Sequence, residues 1–244
     1  FVLVTLGWIL MSAIATVPLL IAIPGLTFTD AFFETMSGLS TTGATVLVGL
    51  DDMPPSINLW RHALNWYGGM GIIVLVVAIL PLLGVGGMQV YKAETPGPMK
   101  DEKLTPRITQ TARALWFIYF MITGACIAAL KLTGMNWFDA ICHSFAALSL
   151  GGFSTYDASV GHFDSPAIEA VLIVFMLIAA MNFSRHFIAW QQKSLRTYLG
   201  DVEARAMLLI IGLSTAGLAL LIWFDGVYPS VWTALRHVAF NLVS

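Results

Sequence analysis

Hydrophobic residues are concentrated in long runs that short polar connections separate. The runs cover residues 1–23, 59–83, 114–132, 167–190 and 206–224. An α-helix rises about 1.5 Å per residue, so about 20 apolar residues cross the roughly 30 Å hydrocarbon core of a bilayer. The pattern therefore predicts an all-α membrane protein with a spanning helix in each run.

Composition agrees with a membrane protein and argues against a soluble one. Hydrophobic residues make up 58% of the 244 residues and charged residues 11%, and the mean hydropathy is +0.81. A soluble domain of this length has too much surface for so few charges. We therefore expect the lipid bilayer as its surroundings and no nucleic-acid partner. Both ends lie in apolar stretches and no initiator Met is present, so we expect a piece of a longer protein.

The distribution of charge predicts an orientation in the membrane. Lys and Arg are concentrated between positions 92 and 113 and between 185 and 205, whereas the alternate connections are mainly acidic. Cytoplasmic connections of membrane proteins are enriched in basic residues. The sequence thus predicts that the basic connections are cytoplasmic and that the acidic ones face outward.

Two of the outward connections resemble each other. Residues 30–45 and 139–154 align without a gap at a shift of 109 positions, which superposes Asp30 on Asp139 and Gly43 on Gly152. An ungapped match between two pairs of membrane spans is typical of an internal repeat.

Each matched segment is too short to cross the bilayer. We expect Asp30 and Asp139 to be the N-caps of helices of about twelve residues, which are only about 18 Å long. Such a helix must enter the membrane and turn back. The chain after it, residues 41–48 or 150–156, is then non-helical at membrane depth, which is tolerated where it lines a cavity.

This arrangement favours a cation. The C-terminus of each half-helix carries roughly half a negative charge, and the glycines after it allow backbone angles that turn carbonyl oxygens toward an axis. Rings of such carbonyls replace the hydration shell of potassium in ion channels. The predicted filter residues are Thr41, Thr42, Gly43, Leu150, Gly151 and Gly152.

The repeat divides the chain. We predict a first membrane–pore–membrane unit at 1–90, a cytoplasmic loop at 91–112, a second unit at 113–195 and the start of a third at 196–244, which ends before its filter. Two filter strands do not close a pore, so either further sequence or further subunits must complete it.

Other polar residues carry alternative interpretations. The segment Gly68-Gly69-Met70-Gly71 favours close helix packing over a hinge. The histidines contain no pair at helical spacing and no ligand motif, so we predict no metal site besides potassium. His143 is expected to pack behind the filter, and Cys126 and Cys142 to be apolar packing residues.

The acidic residues near the entrance are open to two interpretations. Asp51, Asp52, Asp157 and Asp164 are interpreted as solvated loop residues that attract cations. Glu34 complements the half-helix dipole, and whether it influences ions stays open.

Membrane-embedded enzymes are the principal alternative of another class. They need a catalytic pair or axial ligands on facing spans, and the predicted spans contain almost no ionisable residues at mid-depth. We therefore predict no enzymatic activity. A purely structural scaffold leaves two broken segments at membrane depth unexplained, since unsatisfied backbone there costs several kcal/mol per group.

Several motifs resemble one known family. The segments are Ser40-Thr41-Thr42-Gly43-Ala44-Thr45, Gly68-Gly69-Met70-Gly71, Ala93-Glu94-Thr95-Pro96-Gly97-Pro98 and Gly151-Gly152-Phe153-Ser154-Thr155. They resemble the membrane subunit of bacterial Trk-type potassium uptake systems, in the superfamily that includes Ktr and HKT transporters.

The resemblance implies more than the residues do by themselves. It implies four membrane–pore–membrane repeats around a pseudo-fourfold pore, a location in the bacterial inner membrane, and Gly43 and Gly152 as filter glycines. It also implies a homodimer gated by a cytosolic ring protein that binds NAD or ATP, potassium as the transported ion and no covalent cofactor. Serine in place of the first filter glycine resembles sodium-preferring members, so Gly43 favours potassium, with sodium as the alternative.

Overall fold

The computed structural model describes residues 2–79, 104–194 and 196–244, and its regular elements in these ranges are all helical. The α-helices are α1 (Val2–Ala22), α2 (Phe28–Leu39), α3 (Pro55–Ile79), α4 (Leu104–Leu132), α5 (Trp137–Ser149), α6 (Pro166–Ala180), α7 (Phe183–Gln192), α8 (Arg196–Leu199), α9 (Val202–Phe224) and α10 (Val231–Val243). Short 3₁₀ helices cover Leu50–Asp52 and Ser159–Phe163. The all-α prediction is confirmed. Residues 91–103 of the predicted loop lie outside the described residues.

Spanning helices account for most of the hydrophobic runs. In the described ranges, Thr5–Ala22, Ala112–Leu132 and Val202–Phe224 are long and apolar enough to cross a bilayer. Helix α3 has 25 residues, but its first half carries buried polar side chains, so protein rather than lipid covers one face of that half. Residues 80–83 of the second predicted run lie outside the described residues.

The prediction of one continuous helix over residues 167–190 is wrong. Helix α6 ends at Ala180, and the axis turns by 96° before Arg185–Gln192. Met181 is extended, and the Ile178 carbonyl accepts from the Met181 N–H at 3.2 Å and lies 2.9 Å from Nε2 of His186. In a continuous helix the Ile178 carbonyl would accept from the backbone N–H four residues later, and these contacts replace that bond. Hydropathy alone does not predict such a break.

The half-helices have the predicted lengths but different caps. Helix α2 has 12 residues and α5 has 13. Their N-caps are Thr27 and Asn136, whose side chains accept from the backbone N–H of Asp30 and Asp139. The prediction that the aspartates are the caps is therefore wrong, because each helix starts three residues earlier. The carboxylates lie in the first turn, where they complement the helix dipole.

Helix α10 begins in the same way as the two half-helices. The Ser230 side chain accepts from the backbone N–H of Thr233, again three residues later. Arg236 of α10 donates to Glu169 of α6 at 2.7 and 2.8 Å, which ties this helix to the preceding unit. The shared capping pattern is consistent with α10 as the start of a third unit.

Glycines on α3 let it contact the ends of both half-helices. A Cβ added to Gly68 would collide with the Leu39 carbonyl oxygen at the end of α2. A Cβ on Gly69 would lie 2.8 Å from Cα of Ser149, at the end of α5, and 3.0 Å from the Tyr119 hydroxyl. The packing interpretation of this glycine segment is confirmed, because only a residue without a side chain fits at either contact.

We expect Gly68→Ala to destabilise the protein and Gly71→Ala to leave it unchanged or slightly more stable. The alanine methyl at position 68 overlaps backbone, which does not move without shifting α2. At position 71 the Trp8 ring, at 3.6 Å, is the only contact of the methyl among the described residues. Alanine otherwise favours a helix over glycine by up to about 1 kcal/mol. Thermal unfolding in detergent measures both variants, and equal midpoints would contradict the packing role.

Candidate ion-conduction site

The half-helices end with the same hydrogen-bonded cap. The backbone N–H of Thr42 donates to the Ser37 carbonyl at 2.9 Å, and that of Gly151 donates to the Ala146 carbonyl at 2.9 Å. Bonds spanning five residues in this way define the Schellman motif, which ends a helix with a left-handed residue. The repeat thus extends from sequence to hydrogen bonding.

Left-handed residues recur at matched positions in the two segments after the half-helices. Thr41 and Gly43 have φ of 55° and 77°, and Leu150 and Gly152 have 54° and 74°. The residue between each pair, Thr42 or Gly151, is not left-handed. A left-handed residue at every second position turns the peptide planes away from the arrangement of an ordinary extended strand. The left-handed conformation costs Thr41 and Leu150 about 1–2 kcal/mol each, which contacts with the surrounding structure must offset.

The two segments meet backbone to backbone. A Cβ on Gly43 would collide with the Gly151 carbonyl oxygen, and it would lie 3.3 Å from Cα of Gly152. On its other side, Gly151 packs so closely on the Asn65 amide of α3 that it too has no room for a side chain. The structure therefore brings the predicted residues of the two repeats together at the ends of two half-helices, where both dipoles are negative.

A buried ion pair lies behind these segments. Nε of Arg61 in α3 is 2.7 Å from Oε1 of Glu34 in α2, and both side chains are 1% exposed. The same carboxylate accepts from the Thr45 hydroxyl at 2.9 Å. Arg61 also donates to the Ser154 carbonyl at 3.3 Å and lies 4.4 Å from the Phe153 ring centre. One guanidinium thus contacts both segments that follow the half-helices, through Thr45 and Ser154. Glu34 is therefore a buried partner of Arg61 and Thr45 rather than a free charge.

The second repeat makes the equivalent contact with a different residue. His143 is at the position of Glu34 and Ser154 at that of Thr45, and Nε2 of His143 lies 3.1 Å from Oγ of Ser154. His143 is 2% exposed and therefore packs against the segment that is predicted to form the filter.

Asp139 holds the end of the second segment. Its carboxylate accepts from the Thr155 hydroxyl at 2.8 Å and the Tyr156 hydroxyl at 2.9 Å, and it is 1% exposed. Helix α5 leads directly into the start of residues 150–156, and Asp139 accepts hydrogen bonds from the last two of them. The segment is therefore fixed at both ends.

Aspartates join the loops that follow the two segments. The Asp157 carboxylate accepts from the backbone N–H of Gly49 at 2.9 Å and of Leu50 at 3.1 Å, and the Asp157 N–H donates to Asp51 at 3.0 Å. Asp51 and Asp157 are exposed, as expected for solvated residues. They are not merely solvated, however, because they connect the loops of the two repeats.

Sequence reasoning missed the role of Arg61. The signal was present, because Arg61 lies inside the second hydrophobic run, and an ionisable residue there is by default a functional candidate with a partner.

In the described part of the chain, no three His, Cys, Asp or Glu residues are grouped to hold a metal ion.

The TrkH family model, described as a cation transport protein, matches residues 1–228. The chain belongs to this family. The TrkH potassium uptake protein of the Trk system from Salmonella typhimurium is 49% identical over 245 residues, which cover 100% of this chain and 51% of that protein. TrkG of Escherichia coli K12 is 44% identical over 229 residues and covers 93% of the chain. The chain spans about half the length of these curated relatives.

A solved structure supports the same assignment. The crystal structure of the potassium transporter TrkH from Vibrio parahaemolyticus superposes with a TM-score of 0.88 at 46% identity, over 100% of this chain and 49% of that one. This TrkH-family chain is therefore a multi-pass inner-membrane protein with membrane–pore–membrane architecture. Its relatives are named as transporters and not as enzymes.

Proposed function

We propose that this chain forms two walls of a potassium-conducting pore, in which backbone carbonyls bind the ion. The observation that carries the proposal is the contact between the two matched glycine segments, where Gly43 packs on the Gly151 carbonyl at the ends of two half-helices. Potassium in the printed names of the relatives supports the choice of ion.

The proposed ligands are backbone oxygens of the six predicted filter residues, Thr41, Thr42, Gly43, Leu150, Gly151 and Gly152. Backbone carbonyls suit potassium because several of them replace its water shell. The identity of the side chain at position 150 then matters little, which explains why leucine and threonine occupy equivalent positions. The divisions at 1–90, 91–112, 113–195 and 196–244 are part of this proposal.

The partners are also proposed. The relatives are named as proteins of a Trk system, which supports work with other components. We propose a homodimer and a cytosolic ring protein that binds NAD or ATP and gates the pore. The remaining walls would come from the half of the family's length that this chain does not cover.

Potassium rescue tests the proposal. The natural protein at full length, expressed with its cytosolic partner in bacteria that lack potassium uptake, is expected to restore growth on low potassium. Gly43→Asp and Gly152→Asp are each expected to abolish growth, because a carboxylate and a side chain enter the filter backbone.

Membrane abundance, measured by immunoblot, separates loss of transport from loss of protein. Lack of rescue by abundant unchanged protein would contradict potassium as the ion, and sodium uptake is then measured. Rescue that survives both substitutions would place the pore elsewhere.

A further inference from the structure

A large apolar groove lies away from the filter, between α4 and the bend from α6 to α7. Its volume is about 870 Å³, within the roughly 300–1,000 Å³ of small-molecule sites. Ile118, Met121 and Ala125 of α4 form one wall, and Phe175 and Ile178 of α6 form another. A groove of this volume is large enough to hold an apolar chain.

Polar and aromatic residues gather at one end of this groove. Lys193, His186 and Tyr198 line that end, and Nδ1 of His186 lies 2.8 Å from the Tyr198 hydroxyl. Trp190 of α7 meets Phe117 of α4 at a ring distance of 5.8 Å, so aromatic rings bridge the mouth. Tyrosine, tryptophan and lysine together are typical of the boundary between hydrocarbon and headgroups.

With the predicted orientation, the groove extends from the cytoplasmic side to the middle of the membrane. Positions 117 to 125 of α4 span about 12 Å. In the spanning segment Ala112–Leu132, position 117 lies near the end that follows the basic connection, and position 125 lies just past the middle. The 96° turn before Arg185–Gln192 is large enough to direct α7 along the membrane surface. Lys193 directly follows α7. With α7 along the membrane surface, its ammonium would lie at headgroup level.

We propose that this groove binds an anionic glycerophospholipid of the inner leaflet, with one acyl chain along α4 and the phosphate beside Lys193. Charge complementarity selects this occupant, because basic pockets between membrane helices on the cytoplasmic side bind anionic headgroups. The apolar walls supply the affinity for the chain, and Lys193 supplies the preference for negative charge.

Native mass spectrometry of the natural full-length protein tests the site. The purified, delipidated protein is mixed with phosphatidylglycerol or phosphatidylcholine of identical acyl chains. We expect the protein to retain phosphatidylglycerol in preference to phosphatidylcholine. Lys193→Gln is expected to lower the retention of phosphatidylglycerol about five-fold, which is the effect of one basic residue near an anionic surface. It is expected to leave the retention of phosphatidylcholine unchanged. We expect Ala125→Trp, which fills the exposed groove, to remove retention of both lipids.

Arg113→Gln is the matched control. Arg113 is an exposed basic residue on the same helix that does not line the groove, so its removal is expected to leave retention unchanged. Equal retention of the two lipids, or no effect of Lys193→Gln, would overturn the headgroup assignment. Retention that survives Ala125→Trp would show that the lipid binds elsewhere. A disulfide between two copies that carry Met121→Cys would show that a second copy, rather than lipid, covers the groove.

Discussion

Replacing Gly43 by alanine is expected to abolish potassium uptake while the protein still reaches the membrane. The new methyl group would collide with the Gly151 carbonyl oxygen, so the two glycine segments must separate. The left-handed φ of 77° adds about 1–2 kcal/mol for any residue with a Cβ. Rubidium uptake in bacteria that lack potassium transport measures the effect.

Gly49→Ala is the matched control for backbone strain. Gly49 has φ of 73°, and no atom of the described residues lies within 4 Å of an added Cβ, so this variant has the same left-handed cost without the collision. We expect it to retain most of the uptake. Equal loss in both variants would attribute the effect to strain rather than to contact between the filter segments.

Gly152→Ala extends the same experiment to the walls outside this chain. The nearest described atom to a Cβ at Gly152 is Cα of Gly43, at 3.8 Å. If a third wall packs on the second as the second packs on the first, its carbonyl lies there, and Gly152→Ala is expected to be as severe as Gly43→Ala. An effect as mild as that of Gly49→Ala would contradict a third wall in that position.

Glu34→Gln is expected to destabilise the protein by about 3–5 kcal/mol, because it leaves the buried Arg61 charge without a counter-charge. Glutamine has about the size of glutamate and keeps one acceptor oxygen, so the loss of stability reports the removed charge rather than a change of volume. In thermal unfolding, the midpoint is expected to fall by about 6 °C or more. Cation selectivity is expected to weaken as well, because Arg61 contacts both Thr45 and Ser154.

The double variant Glu34→Gln with Arg61→Gln is expected to be more stable than Glu34→Gln alone, since no net charge then stays buried. Asp30→Asn removes a carboxylate from the same half-helix, but one that is only partly buried, and is expected to cost at most about 1 kcal/mol. A double variant no better than the single one would show that Arg61 holds the filter through its hydrogen bonds rather than through the ion pair.

Local features of the chain predicted the half-helices well. Their lengths, their place between spans and the 109-position shift all follow from hydropathy and from matched residues. The caps were predicted three residues late, because aspartate is favoured both at the N-cap and in the first turn, and residue type does not distinguish these positions. The bend after Ala180 was not predicted, since Met181 and Asn182 interrupt the helix without proline or glycine.

The contacts between repeats were beyond local reasoning. Arg61 and Ser154 are 93 positions apart, and Asp157 and Gly49 are 108 apart. Such pairs depend on how α3 packs between the half-helices, and that packing depends on the fit of Gly68 and Gly69 to particular backbone atoms.

The sequence by itself determined the membrane class, the repeated unit and the glycine positions, because hydrophobic length and backbone freedom are properties of short segments. The tertiary structure decided which segments meet, which carboxylates are buried and where the fourth run bends. These features depend on steric fit and on hydrogen bonds between residues far apart in the chain. Residue type alone does not tell which of those residues lie close together in space.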